Sequence, residues 1–467
     1  MPTMFLGSVR ESVRLFVLGT IVIAAYAVLL CIGIAMIPLR IPEILQLAAN
    51  RGFESLSMLR WIAQAPNSAP LNYFVQMPFL LVLGYTPLGA RLDSLLFAIA
   101  ASFLFFHLAR RVGLAHPLLA LLVFLLLPVH ALLAVQGLPF EQALFFLLLA
   151  TEWFLQLVEK PSIPTAGLYA VFLTLGTYSA PYAFLPAIGY VLFLLLFVNR
   201  AGERRAMWFA LSATVITAAL FLPYYLWALP QVNPFWPSRP ELYGNAFEQS
   251  AGNEWAAYAA MTLFGLGILA AIWIALRWGA AELFRRIWLV CLLGGIVSSL
   301  AITAVADVWL GASFTADQLL WALPAAVLVA FAGAERLAAR RRMRPVAAVF
   351  ATLLIAACVA GDYFEFSRPA EDTAAEAALI APELGGDACV VFVSERFSKV
   401  LFEVFAPSLQ RRECLNFSHQ RIVLASHPYV TREQQDNAES FFRGLNFSET
   451  RRIPSGGGQI VIMEQPH

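Results

Sequence analysis

Ionisable side chains at the ends of the apolar segments are the residues of this chain best placed to do chemistry. The carboxylates in such positions are Glu43, Glu54, Asp93, Glu141, Asp307 and Asp317. A carboxylate there can accept a proton, and a nearby arginine can bind an anion. Ionisable groups beside apolar segments are costly and are often kept for function. For each acid taken alone, a solvated or helix-capping role is the alternative.

Histidines and cysteines do not add a metal site to this set. The six histidines (His107, His116, His130, His419, His427 and His467) lack the spacing of metal ligands. Among the six, only His130, near the end of the apolar run at 114–134, falls close to the presumed site formed by these acids. Cys31, Cys291 and Cys358 fall in apolar runs, where a small packing residue is the simpler interpretation.

The composition indicates the class of protein. Of the 467 residues, 60% are hydrophobic and only 13% are charged, whereas soluble proteins have about 25% charged residues. A water-soluble fold could not bury so much apolar surface, so we predict an integral membrane protein. The net charge of +1 gives no indication of nucleic-acid binding.

Apolar runs close to the length needed for a membrane-spanning helix, about 20 residues, recur along the chain. We predict eleven spans, at 13–37, 90–109, 114–134, 141–158, 163–180, 182–198, 207–229, 257–276, 287–306, 318–335 and 345–361. The stretch 71–84 is too short and contains Pro78, which predicts an interfacial or re-entrant helix.

Arginines set the orientation, because cytoplasmic loops carry the excess of Lys and Arg. With the N-terminus inside, the outward loops hold few basic residues, which are Arg40, Arg51, Arg60, Arg91 and Arg239. We therefore predict a multi-pass protein of a bacterial inner membrane, with a cytoplasmic N-terminus. Residues 1–361 would form the transmembrane domain, with a first outward loop at 38–89, and residues 362–467 an extracytoplasmic domain.

The polar C-terminal region has the pattern of a small α/β domain. Buried strands are predicted at 388–394, 421–426 and 459–464, with a polar helix around 431–443. Cys389 and Cys414 both fall in this region. On the outer side of a membrane they could form a disulfide, and two free thiols are the alternative.

Three groups of short motifs share the predicted outward side. The first is NSAPLNYF at 67–74 with LGYTP at 83–87 and ARLDS at 90–94; AVQGLPF at 134–140 and FTADQLLWALP at 314–324 follow. Their order and sidedness resemble the GT-C class of polytopic membrane glycosyltransferases. Within that class, the motifs are similar to those of the bacterial branch that acts on lipopolysaccharide and related glycans. This branch resembles the polyprenyl-phosphate-mannose transferases.

The resemblance implies an α-helical membrane enzyme. Such an enzyme would move a sugar from a polyprenyl-phosphate donor to a cell-envelope glycan or lipid on the outer side of the membrane. The acceptor hydroxyl needs a base, for which Glu43 is the first candidate and Glu54 the second. The candidates for substrate binding are Tyr73, Arg91, Gln136, Glu141, Arg239 and Gln318. Arginines, or a divalent cation, would offset the charge of the departing phosphate. Inversion would set the base apart from those cations.

Three departures from the family pattern keep other functions open. Pro42 stands where the family has the first acid of an Asp-Glu pair, Leu138 where it often has Arg, and Asp317 where it has Arg. These changes favour a catalytically silent envelope-assembly protein as one alternative. A lipid or glycan transporter is another, although it would have charges well inside several spans and inverted halves.

Overall fold

A computed structural model of the chain describes a series of helices and a C-terminal sheet. The described residues are 2–37, 69–197, 201–228, 291–299, 320–339, 344–367, 373–385, 388–393, 420–426, 432–455 and 458–465, with single residues between 39 and 62 and at 230, 302, 342 and 414. The predicted span 257–276 lies outside this part of the chain, and so do Glu54, Arg239 and Gln318.

Apolar helices, some long and some short, occupy most of the predicted runs that the structure describes. They are α1 (Pro2–Met36), α2 (Leu71–Leu83), α3 (Pro87–Arg111), α4 (Pro117–Leu125), α5 (Pro128–Ala134), α6 (Phe140–Glu159), α7 (Ile163–Ser179), α8 (Leu185–Phe197), α9 (Ala201–Ala228), α10 (Leu323–Ala338) and α11 (Arg344–Ser367). Among the described residues, α1, α3, α6 and α9 are each long and apolar enough to cross a membrane. The predicted short helix at 71–84 is confirmed as α2, with Pro78 inside it.

The predicted span 114–134 is not one straight helix. It consists of α4 and α5, which meet at an angle of 62°. Pro128 is the first residue of α5, and proline lacks the N–H group and clashes with the carbonyl group four residues earlier, so a helix cannot continue through it undisturbed. The residue before it, Leu127, is extended accordingly (φ −66°, ψ 120°).

Polar side chains join the helices that follow α5. The Ser162 hydroxyl and the Thr165 side chain form a capping box at the start of α7, which satisfies N–H groups that the first turn leaves open. The Tyr169 hydroxyl lies 3.2 Å from that of Thr214, and the Thr151 hydroxyl lies 3.1 Å from that of Tyr190. Such bonds between helices stabilise packing where the surrounding surface is apolar.

The C-terminal region forms a four-stranded sheet with the order β1-β2-β4-β3. Its strands are β1 (Ala388–Phe392), β2 (Arg421–Ser426), β3 (Ser448–Ser455) and β4 (Gly458–Glu464). β1 and β2 are parallel, and the pairs β2–β4 and β3–β4 are antiparallel. The three strands that the sequence predicts thus pair in one sheet. β3 was not predicted, because its sequence SETRRIPS has the polarity of an exposed edge strand rather than a buried one.

Side chains alternate between the two faces of this sheet, as the pleat requires. On one face, Val423 and Ile460 pack with Ile380 of α12 (Thr373–Ile380). On the other face, Leu424 and Val461 pack with Phe442 of α13 (Arg432–Gly444). A disulfide joins Cys389 of β1 to Cys414, which is the pairing that the sequence left open.

The chain divides into two compact units that do not follow chain order. One unit comprises Met1–Ile32, Ile62–Gln76 and Leu92–Phe366. The other comprises Gly33–Trp61, Met77–Arg91 and Ser367–His467. The second unit therefore contains segments of the predicted first loop as well as the sheet. The division at residue 361 into a transmembrane and an extracytoplasmic domain stays a prediction.

Candidate functional site

Glu43 and Arg91 form a buried, two-pronged ion pair in the second unit. Arg91 Nε donates to Glu43 Oε1 at 2.6 Å, and Arg91 Nη2 donates to Glu43 Oε2 at 2.7 Å. Neither side chain is exposed. The third guanidinium nitrogen, Nη1, donates to the carbonyl oxygens of Ile34 and Ile37, at 3.3 and 2.6 Å. Arginine is the cation suited to this planar, bidentate geometry.

The position of Arg91 explains these contacts. The last carbonyl groups of a helix have no partner within it, and Arg91 binds the carbonyl groups at the end of α1 as well as Glu43. One guanidinium group thus ties α1, the helical turn of Glu43 and α3 together. Most of its N–H groups donate to Glu43 and to these carbonyl groups, which favours a structural role for Arg91 over phosphate binding. From the sequence, we expected the base to stand apart from the cations. Glu43, the first candidate base, instead lies directly against Arg91, one of the candidate cations.

A second polar cluster surrounds the start of α6, in the first unit. The connection from α5 to α6 runs through the predicted motif at 134–140. Gln76 Nε2 of α2 donates to Gly137 O at 3.3 Å, and Ser94 Oγ of α3 donates to Leu138 O at 3.1 Å. The Gln136 side chain is buried, and its carbonyl accepts from the N–H of Leu138 at 2.8 Å. Side chains from α2 and α3 therefore hold this connection by its backbone.

Glu141 lies in the first turn of α6 and faces a histidine. His130 Nδ1 and Glu141 Oε1 are 3.0 Å apart, and neither side chain is exposed. The His130 ring stacks on Phe124, with centroids 4.4 Å apart. A carboxylate that binds one imidazole nitrogen fixes the ring and leaves the other nitrogen for a further partner. An acid–base pair buried in a membrane-spanning region is a candidate functional group.

Glu152, farther along α6, has a different environment. Glu152 bonds to Arg111 of α3 and accepts from Gln156 Nε2 at 2.9 Å. Arg111 also pairs with Glu159 at 3.0 Å. These groups lie toward the C-terminal ends of α3 and α6, which the predicted orientation places on the cytoplasmic side. Arg111 thus offsets part of the negative charge of the two glutamates and holds α3 against α6, which is a packing role for Glu152.

The chain is similar to a known protein in structure but not in sequence. No family model and no curated protein matches the chain by sequence. The crystal structure of ArnT from Cupriavidus metallidurans in the apo state is similar with a TM-score of 0.56, over 98% of this chain and 98% of that chain, at 13% identity. The chain has an ArnT-like fold. The structure of the same ArnT bound to undecaprenyl phosphate covers 95% of this chain and 97% of its own, with a TM-score of 0.45 and 14% identity.

The ArnT-like fold confirms the fold class expected from the sequence. The chain is a multi-pass membrane protein with that fold and has a small sheet in addition to its helices. The number of eleven spans stays a prediction. Within the described residues, no group of three or more His, Cys, Asp or Glu side chains could hold a metal ion.

Within the ArnT-like fold, the predicted site residues separate into groups. Glu43 pairs with Arg91, whereas Gln136 and Glu141 lie at the start of α6. Tyr73 is buried on α2. Sequence reasoning gave His130 little weight, because a lone histidine in an apolar run is usually a packing residue. The short connection between α5 and α6 was the available signal, since it brings the ends of both helices together.

Proposed function

We propose that the protein is a membrane glycosyltransferase that moves a sugar from a polyprenyl-phosphate donor to a cell-envelope glycan or lipid. The observation that carries this proposal is the ArnT-like fold, which extends over 98% of both chains. Similarity over so large a share includes the helices and the C-terminal region together. The motifs at 67–94, 134–140 and 314–324 support the same class independently.

The proposed donor follows from the chemistry of that class. ArnT has been solved with undecaprenyl phosphate bound, and a lipid of that kind would present its sugar at the outer leaflet of the membrane. In the reaction, the acceptor oxygen forms a bond to the anomeric carbon while the bond from that carbon to the phosphate oxygen breaks. The acceptor proton passes to a base, and the polyprenyl phosphate leaves. We propose inversion at the anomeric carbon, as expected for a single displacement.

The outer side of the membrane is proposed as the place of reaction. The excess of arginines in the opposite loops supports a cytoplasmic N-terminus. The Cys389–Cys414 disulfide supports an oxidising compartment for the C-terminal region, because disulfides persist outside the cytosol. Both observations support a C-terminal region on the outer side of a bacterial inner membrane.

Three acids are proposed as alternatives for the base. Glu43 would have to exchange a hydrogen bond with Arg91 for one with the acceptor hydroxyl. Glu54 shares the same loop, and Glu141 keeps one carboxylate oxygen, Oε2, without a hydrogen-bond partner among the described residues. The binding roles of Tyr73, Arg91, Gln136, Arg239 and Gln318 stay predictions, and so does the divalent cation.

The test measures release of undecaprenyl phosphate. The purified full chain in lipid nanodiscs is incubated with undecaprenyl phosphate carrying glucose, mannose, galactose or N-acetylglucosamine, together with glycolipids extracted from a bacterial envelope. Mass spectrometry should detect the free lipid phosphate and an acceptor whose mass has risen by one sugar. Glu43→Gln, Glu54→Gln and Glu141→Gln are compared per amount of folded protein, and the variant that loses transfer while still binding donor identifies the base.

The occupied carboxylate of Glu43 favours one further candidate, a catalytically silent envelope-assembly protein. Both of its oxygens bind Arg91, and Pro42 stands at the position of the missing acid. Donor binding without release of lipid phosphate from any of the four donors, in the presence of the envelope glycolipids, would favour this second function. Transfer of any one sugar would exclude it.

A further inference from the structure

Buried polar atoms without partners collect around the first turn of α6. Gln142 has no partner for either its Nε2 or its Oε1, and Asn72 of α2 has none for its Nδ2 or Oδ1, among the described residues. The same is true of His130 Nε2, Glu141 Oε2 and Trp321 Nε1. All five side chains are at most 2% exposed. Proteins leave few buried polar groups unsatisfied, and each such group needs an explanation.

Contacts of these side chains and of their neighbours lead to one end of α6. Glu141 and Gln142 are neighbours in its first turn, and His130 bonds to Glu141 at 3.0 Å. Trp321 reaches the same turn through Phe140, with ring centroids 6.3 Å apart. Asn72 lies one turn before Gln76 on the same face of α2, and Gln76 binds Gly137, three residues before the helix. Four separate segments therefore contribute to one polar cluster.

The chemistry of this cluster selects a class of ligand. Its open atoms include donors, namely two amide N–H₂ groups and an indole N–H, and acceptors, namely two amide oxygens and a carboxylate oxygen. No arginine or lysine is among these five side chains, so the set does not suit a phosphate. A sugar hydroxyl donates one hydrogen bond and accepts others, and therefore matches a mixed set of donors and acceptors that contains no arginine or lysine. The rings of Phe140 and Trp321 add apolar faces of the kind that sugar C–H groups contact.

We propose that the first turn of α6, with Asn72, His130, Glu141, Gln142 and Trp321, forms a subsite for a neutral sugar ring. The ring belongs either to the donor or to the glycan acceptor, and this choice alone rests on the proposed function. Leu138, Pro139 and Phe140 are partly exposed above the buried cluster, which makes the connection between α5 and α6 the way in. The subsite accounts for polar side chains that the packing of the helices does not use.

Apolar replacements of similar size test this subsite without threatening the fold. If a buried polar group has no partner in the ligand-free protein, its replacement by an apolar group of similar shape is close to neutral for stability. Gln142→Leu and Asn72→Leu are therefore expected to fold. Gln156→Leu is the matched control, because Gln156 lies on the same helix and bonds to Glu152 at the other end.

The experiment measures the melting temperature of the full chain in detergent with methyl glycosides of glucose, mannose, galactose and N-acetylglucosamine. We expect at least one glycoside to stabilise the wild-type protein saturably, since a ligand of the folded state raises its stability. Gln142→Leu and Asn72→Leu should each weaken the apparent affinity about tenfold or more, as expected for the loss of ligand hydrogen bonds. Gln156→Leu should leave the affinity unchanged.

Two further probes separate this proposal from the function of the enzyme. Undecaprenyl phosphate without a sugar should stabilise all four proteins equally, and the absence of that response would contradict the proposed donor but not the sugar subsite. Competition between the glycoside and a sugar-bearing donor assigns the subsite to the donor, and simultaneous binding assigns it to the acceptor. The subsite is disproved if no glycoside stabilises the wild-type protein, or if Gln142→Leu and Asn72→Leu both retain wild-type affinity.

Discussion

At the scale of single residues, the Glu43–Arg91 pair shows how burial changes the meaning of a charged side chain. An exposed ion pair contributes little, because water screens both charges. A buried charge without its partner is costly, so each member of this pair depends on the other. The two prongs at 2.6 and 2.7 Å, together with the carbonyl groups of Ile34 and Ile37, satisfy most of the donors of Arg91.

Breaking this pair should destabilise the protein. We expect Glu43→Gln and Arg91→Gln each to lower the free energy of unfolding by about 3–5 kcal/mol, since each leaves a buried polar or charged partner uncompensated. The control is Glu159→Gln, which removes a 62% exposed partner of Arg111 and should cost about 1 kcal/mol or less. Thermal melting in detergent measures both. Wild-type melting of Glu43→Gln would contradict the structural role.

The acid dependence of the C-terminal region is also a property of single residues. Arg452 Nε donates to Glu449 Oε1 at 2.9 Å, and this hydrogen bonding lowers the pKa of Glu449 below its ordinary value of about 4.3. A carboxyl group whose pKa is lower in the folded state stabilises the fold above its unfolded pKa. That contribution is lost as the pH falls through the lower, folded value.

Glu449→Gln should therefore flatten the response of the C-terminal region to acid. We expect the wild-type protein to melt above Glu449→Gln at pH 7. The difference should shrink as the pH falls from about 4.3 through the lower, folded pKa, because the carboxyl group then becomes protonated in both states. Melting of the full chain followed between pH 3 and 7 measures this. A difference that stays constant over that range would show that Glu449 acts through packing rather than charge.

At the scale of elements, glycines decide how closely two helices approach. Gly189 of α8 faces Gly294 in the helical residues 291–299, and a Cβ atom placed on Gly189 would lie 2.0 Å from the Gly294 carbonyl oxygen. Ser298 Oγ donates to Leu185 O at 2.9 Å across the same contact. Small residues permit this backbone contact, which is a common means of helix association in membranes.

Gly189→Ala should separate these helices. Because the Gly294 carbonyl group belongs to the backbone and cannot rotate away, we expect a loss of about 1–3 kcal/mol or more in the free energy of unfolding. Gly167→Ala is the matched control within α7, since a Cβ atom there would meet nothing within 4 Å; it should be neutral or slightly stabilising, because alanine is the better helix former. Equal melting temperatures for the two variants would contradict the close contact.

At the scale of the whole molecule, the bend between α4 and α5 matters most for topology. A pair of short helices at 62° can cross the membrane as one broken span or return to the side from which it came. If it returned, every later loop would exchange sides. Lys160 after α6 and the arginines of the loops after α8 and α10 would then face outward. The positive-inside rule opposes that arrangement, so we expect a broken span.

Reporter fusions test this topology directly. A phosphatase fused after His467 should be active, because that enzyme needs the oxidising outer compartment for its own disulfides. The same reporter in the connections between α8 and α9 and between α10 and α11 should be inactive, whereas a cytoplasmic fluorescent reporter should work there. A phosphatase that is inactive at the C-terminus and active in both connections would invert the orientation and the placement of the site.

The sequence alone determined the class of this protein, most of its helices and three of its four strands. Those features follow from local composition, since apolar runs predict helices in a membrane and alternating or buried runs predict strands. It did not predict the break at Pro128 as a bend of 62°, or the edge strand β3. Only the tertiary structure showed that Glu43 binds Arg91, 48 residues later in the chain, and that His130 binds Glu141. Pairings of this kind depend on how helices pack, and the order of residues along one helix does not fix which side chains of another will face it.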